Sequence, residues 1–290
     1  MDIATKRKPG RPSSTLIEFD HEAIAKYEAS VALESDEDIT ERLRERFAIL
    51  KQMTQAVRAG QIRAMIISGP PGVGKSFGVE DVLERDDLFS KLTSTKPKFQ
   101  VIKGYSSPLG LYCKLHEFSE KGNVLVFDDS DSLFYCQVCL GLLKGALDSS
   151  LKRTISWNTD SRVLKEEGIP SRFDFNASVI FITNINFQHV RSKNLKSHLD
   201  ALESRCHYID LGMNTQREKV LRMRQIVLDG MLDKYDFEEA ERDEVVDFVF
   251  ENQDKMRELS LRTILKISDL KKSFPDNYQA MARMTVMRQA

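Results

Sequence analysis

Gly69, Pro70, Pro71, Gly72, Val73, Gly74, Lys75 and Ser76 stand in the spacing G-x-x-x-x-G-K-S, directly after an apolar run over 64–68. Glycines at these positions let consecutive main-chain N–H groups turn in on an anion. A lysine ammonium next in line reaches the β and γ oxygens of a nucleoside triphosphate, and the hydroxyl after it is a ligand for Mg²⁺. The chemistry open to this pattern is phosphate binding, and the cofactors it predicts are ATP or GTP, with Mg²⁺. Phe77 carries the nucleotide-facing stretch on into a helix.

A second set of chemical groups lies downstream, where the apolar residues 124–127 end in Asp128 and Asp129. Such a run reads as a buried parallel strand that delivers acids to the carboxyl edge of a sheet, where ligands of open α/β sheets bind.

The elements that must hold these groups follow from the pattern. Strands are expected over 64–68, 99–104, 124–127 and 178–183, with helical stretches between them, so the sheet should be parallel with crossovers. A helix beginning near Asp38, with Asp38 and Glu41 as a capping pair, carries Leu43, Phe47, Leu50 and Val57 at helical spacing and closes at Gly60. After Leu211 the pattern is helical only, in four stretches. The expected fold class is α/β: a parallel-sheet phosphate-loop domain over 38–212, preceded by an extension over 1–37 and followed by a small all-α domain over 213–290.

With 43 basic and 44 acidic residues in 290, no general nucleic-acid-wrapping surface is implied, and any DNA contact must come from local clusters. No apolar stretch approaches the ~20 residues of a membrane span, and the first residues lack the apolar core of a signal peptide. The expectation is a soluble, cytoplasmic protein without a membrane partner. Cys113, Cys136, Cys139 and Cys206 fit a reducing compartment. Cys136 and Cys139 have no second ligand pair, so they read as two buried thiols one helical turn apart rather than as half of a zinc site.

Taken in order, the phosphate loop, the acid pair, a polar-ended strand, an arginine and a helical domain resemble the AAA+ ATPases over residues 40–272. The resemblance implies an ATPase in which Asp128 holds Mg²⁺ through water and Asp129 positions the attacking water. The family usually has Glu at the second place. Asp is one methylene shorter, so the water must come closer or Asp131 must help; hydrolysis is expected to be retained, at a reduced rate. The resemblance puts sensor 1 at Asn184, with Thr183 and Asn186 open to a one-residue register change. Ser204-Arg205-Cys206 is similar to the clamp-loader motif whose arginine enters the neighbouring subunit's site, which implies a homo-oligomeric ring with a hexamer as the expected size. Arg262, with Arg257 as the competing assignment, would be sensor 2 on the third helix of the lid, as the family's helical domain is called.

Residues 153–157 and 172–175 alternate apolar and polar residues around a polar middle, as hairpin strands do. The hairpin is similar in place to that of helicase-type AAA+ proteins and makes Trp157 a candidate DNA contact. Tyr112, after the second strand, is a candidate substrate grip or a packing residue. Lys6-Arg-Lys-Pro-Gly-Arg-Pro12 resembles an AT-hook, and residues 142–157 resemble phage-encoded AAA+ proteins. The expected function is ATP hydrolysis coupled to remodelling of, or movement on, DNA in replication or recombination. The alternatives are a protein-remodelling AAA+ chaperone or activator and a clamp-loader-type ATP switch.

Overall fold

The computed structural model describes residues 27, 29, 31–86, 96–187, 190 and 192–288. The Lys6 to Pro12 tail lies outside the described residues. Helix α1 (Asp36–Arg58) leads into β1 (Ala64–Ser68) and α2 (Lys75–Asp86), followed by β2 (Phe99–Lys103), α3 (Pro108–Glu117) and β3 (Val124–Asp128). A 3-10 turn (Asp131–Tyr135) joins β3 to α4 (Gln137–Ala146). An insertion then runs through β4 (Thr154–Ser156), α5 (Arg162–Glu166) and β5 (Arg172–Asp174), after which come β6 (Ser178–Thr183), α6 (Lys193–Glu203) and β7 (His207–Asp210). The rest is helical: α7 (Gln216–Ile226), α8 (Glu239–Glu251), α9 (Leu261–Ser273) and α10 (Tyr278–Thr285).

The main sheet has the order β2-β3-β6-β1-β7 with every pairing parallel. Alternate residues of each strand go to opposite faces. Ile66, Leu125, Phe127, Val179 and Phe181 pack with α3, α4 and α6. Met65, Ile67, Val124, Val126, Ile180 and Ile182 pack on the other side with α1 and α2. Each such side chain contributes about 1.5–3 kcal/mol on burial. Two covered faces explain why the central strands are unbroken apolar runs. β7 is an edge strand with exposed ends, and the sequence reading missed it.

The start of α1 corrects the expected cap. Ser35, not Asp38, is the N-cap, and its hydroxyl accepts the Asp38 N–H at 3.1 Å. Val31 is buried in the same core as α1, so part of the 1–37 stretch packs on the α/β layer. The helical segment has its own core of Met223, Ile226, Val245, Val249, Ile264, Ile267 and Tyr278. α7 gives way at Val227–Met231 to a wider turn, because Gly230 takes φ 96°. Polar contacts tie α7 to α1 and to the stretch before it: the fully buried Glu218 accepts from Arg42 of α1 at 3.1 Å and from the Tyr27 hydroxyl ahead of α1 at 2.6 Å, and Arg217 meets Asp36 at 2.6 Å. Among the described residues, no helix is long and apolar enough to cross a membrane.

Candidate functional site

The carboxyl ends of β3, β6 and β1, three neighbours in the sheet, converge on one place. After Ser68 the chain turns through Gly72 at φ 71° and Gly74 at φ 96°, values that glycine adopts without strain. Only glycine fits the first of these positions sterically as well, since a Cβ on Gly72 would stand 2.5 Å from Ser260 Cβ. The loop is tied to the helical segment by the Leu261 N–H, which donates to the Gly72 carbonyl at 3.0 Å. α2 then begins at Lys75, so its free N–H groups and positive dipole end face the loop.

Lys75 is buried, and its ammonium donates to the carbonyls of Gly69 (2.7 Å) and Pro70 (2.8 Å) and to Asn184 Oδ1 (2.8 Å). Burial pulls this group down to about 8, against the opposing pull of Asp129 and Asp128. The Ser76 hydroxyl donates to Asp128 Oδ1 at 3.0 Å, and Asn184 Nδ2 donates to Asp129 Oδ1 at 2.9 Å. Asn184 thus bonds the lysine with one atom and the second acid with the other. Asp129 sits at φ 50°, a left-handed conformation that Asp tolerates better than most residues and that concentrates at functional sites. It turns the carboxylate out of the sheet, where it is exposed.

These groups line a cavity of about 410 Å³ between the loop and the helical segment, within the usual size range of small-molecule sites. Phe77, Ile226, Met231, Leu261 and Leu265 give it apolar walls, and Arg262 adds a cation. Arg257 is turned elsewhere, with its guanidinium donating to the Met287 carbonyl at 2.8 Å. Of the register alternatives, Thr183 is fully buried and donates to Asp131 Oδ1 at 2.6 Å. Asp131, the expected helper, is therefore engaged at the sheet edge, and burial holds its carboxyl above the usual range. Mg²⁺ takes few protein oxygens and fills its shell with water and phosphate. The Ser76 hydroxyl and Asp128 Oδ1, already side by side, fit that demand.

Arg205 lies outside this cavity. It precedes β7, whose His207 is in register with Met65 of β1, so it stands at the amino edge of the sheet, roughly 20 Å from the loop at the usual rise per residue. Its Nη1 donates to the Ala201 carbonyl at 2.6 Å, and its Nε is buried without a partner.

The substrate-facing candidates need correction. The two flanks do pair as a hairpin, Ile155 opposite Phe173, but the insertion is fastened down rather than projecting. Arg153 is buried and donates to the carbonyls of Ala146 (2.9 Å) and Ala177 (3.0 Å). Trp157 is half-buried, its ring 5.6 Å from that of Tyr112. Tyr112 is 0% exposed and donates to the Pro170 carbonyl at 2.8 Å, which makes it a packing residue. Tyr105, passed over in the sequence, is 80% exposed just after β2. Cys136 is half-buried rather than buried, and its sulfur accepts the Cys139 N–H at 3.3 Å, capping α4.

Fold and site together define a class: a parallel α/β domain with a G-x-x-x-x-G-K-S loop at one sheet edge, beside a helical segment that shares the cavity. Sequence comparison adds a family. The chain is 34% identical over 239 residues to the "Uncharacterized 36.7 kDa protein in nrdC-mobD intergenic region" of Enterobacteria phage T4, covering 81% of this chain and 72% of that one, and it belongs to the family of that phage protein. No protein-family model matches. Among solved structures, domain III of the Thermotoga maritima replication initiation protein DnaA aligns with a TM-score of 0.46 at 14% identity, over 83% of this chain and 92% of that one. The replication initiator DnaA bound to AMPPCP and single-stranded DNA aligns with a TM-score of 0.45 at 15% identity, over 81% of this chain and 63% of that one.

The depressed lysine yields a pH prediction. A bound triphosphate would favour the charged ammonium, so its complex would have the higher pKa and binding above pH 8 would take up a proton. Affinity for an ATP analogue should be level below about pH 7.5 and fall as pH rises through 8, by up to about tenfold per unit between the free and bound pKa values. Titrations of a fluorescent analogue from pH 6.5 to 9.5 measure this, with Lys75→Arg as the variant that stays level. A wild-type curve level to pH 9.5 would contradict it.

Proposed function

We propose that this chain is an ATPase of the AAA+ kind that works as a homo-oligomeric ring on DNA. The observation that carries the reading is the convergence of Lys75, Ser76, Asp128, Asp129 and Asn184 from adjacent strand ends on one cavity that Arg262 also lines. In this reading the triphosphate takes over the Lys75 ammonium from the Gly69 and Pro70 carbonyls, and the loop N–H groups cradle the phosphates. Ser76 and Asp128 hold Mg²⁺, which neutralises charge on the β and γ oxygens when bound. Asp129 orients the attacking water, Asn184 fixes Asp129 in place, and Arg262 brings the helical segment down on the phosphates.

DNA is the proposed polymer on the strength of the Lys6 to Pro12 tail. The phage family makes the host cytoplasm the proposed location. The decisive experiment compares ATPase rates alone, with single-stranded DNA, with duplex DNA and with an unfolded protein. Stimulation by DNA is expected. Deleting residues 1–15 should weaken duplex binding and flatten its salt dependence while leaving the basal rate intact. Stimulation by unfolded protein alone would favour the protein-remodelling reading, for which the exposed Tyr105 is the available grip.

A further inference from the structure

Two charged residues beside the site have no part in phosphate-loop chemistry. Lys103, the last residue of β2, is in register with Asp128 of β3. Its ammonium lies 3.4 Å from Asp128 Oδ2 and 2.8 Å from Glu80 Oε1. Glu80 is on α2, one helical turn past Ser76. Asp128 is therefore held at both oxygens, Oδ1 by the Ser76 hydroxyl and Oδ2 by Lys103. We propose that Lys103 and Glu80 are positioning residues that set, through Asp128, how strongly the site takes its divalent cation. This rests on the reading of Ser76 and Asp128 as the Mg²⁺ ligands.

Lys103 acts on Asp128 through both charge and orientation. The Asp128 side chain is 5% exposed, and a buried carboxylate with an unengaged oxygen is costly. Lys103 satisfies that oxygen and leaves Oδ1 turned toward Ser76 and the incoming metal. The ammonium also repels a cation bound to the same carboxylate, and Glu80 offsets that repulsion. Two carboxylates and one ammonium leave one net negative charge next to the metal position. Removing Lys103 makes it two, and neutralising Glu80 makes it zero. The charge effect outweighs the loss of one orientation restraint, since a divalent ion doubles each charge–charge interaction and Asp128 keeps Ser76 as its other anchor. The Lys103 side chain is 60% exposed, so screening holds the expected shifts to about three- to fivefold.

An ordinary ion pair fastening β2 to α2 makes a different prediction, because Lys103→Met and Glu80→Gln break the same contact and would act alike. The test uses the full chain and a slowly hydrolysed fluorescent ATP analogue, titrated with Mg²⁺ from a metal-free start. Lys103→Met should lower the half-saturating Mg²⁺ about three- to fivefold, and Glu80→Gln should raise it by a similar factor. The double variant, with one net negative charge again, should return close to wild type, as should Lys103→Arg. Analogue affinity without metal should change less than about twofold throughout, and thermal melts should show each variant folded. Shifts in the same direction, or no shift while wild type responds to Mg²⁺, would overturn the proposal. A wild type that binds the analogue with no Mg²⁺ dependence would overturn the metal-site reading, and this proposal with it.

Discussion

Lys75→Ala is expected to remove nucleotide binding, whereas Asp129→Ala is expected to bind ATP and fail to turn it over. The Lys75 ammonium makes three hydrogen bonds inside the cavity wall and is the group whose charge the triphosphate would meet. Charge-assisted hydrogen bonds contribute about 1.5–3 kcal/mol each, so losing two of them to phosphate lowers affinity roughly 10²–10⁴-fold. Folding should suffer little, because the buried charge that burial already disfavours goes with the side chain. Asp129 accepts its side-chain hydrogen bond from Asn184 and not from the loop, so its loss leaves the phosphate contacts standing. A positioned carboxylate in proton transfer is worth about 10²–10⁴ in rate, and that is the expected drop in turnover. Fluorescent-analogue titration and phosphate release separate the two effects. Normal turnover in Asp129→Ala would move the role elsewhere, and Asp131 would have to leave its bond to Thr183 to take it.

The parts of the site that were legible in the sequence are those fixed by local backbone geometry or by full burial. The phosphate loop is a contiguous turn whose glycines answer to φ values, and β1, β3 and β6 are buried throughout, with apolar interiors, because both faces are covered. β7 was not legible, since His207-Tyr-Ile-Asp210 is a short edge strand with exposed ends and no apolar run. The Ser35 cap lay three residues ahead of the acidic pattern that drew attention. Tyr112 and Trp157 looked like substrate contacts because an aromatic beside a loop has the same sequence signature whether it packs or projects; the Tyr112 bond to Pro170, 58 residues away, decides it. Lys103 and Glu80 carry no motif at all. Their meeting with Asp128 depends on the β2–β3 register and on the helical phase of α2, and a charge pattern along the chain does not contain either.

Arg205→Ala should bind ATP as wild type does and hydrolyse it about 10³–10⁵-fold more slowly if the arginine works on a neighbour's nucleotide. If Arg205 acts on a nucleotide, its placement makes that nucleotide a neighbour's. It is at the amino edge of the sheet and the phosphate loop is at the carboxyl edge, and an arginine side chain is far too short to close roughly 20 Å. Within the chain its Nη1 donates to the Ala201 carbonyl and to the Ser204 hydroxyl, and its Nε is buried without a partner. A single copy of the chain thus has a site lined by Lys75, Lys234 and Arg262 but not by Arg205. Mixing Arg205→Ala with Lys75→Ala tests this directly. The first variant has an intact site and no arginine to lend, and the second has the arginine and no site. Interfaces that pair an intact site with an intact arginine form only in the mixture, so activity should return there and in neither parent. Sedimentation with and without the ATP analogue follows assembly alongside. A mixture as inactive as its parents, with a wild type that stays monomeric in ATP, would return Arg205 to a structural role at the end of α6.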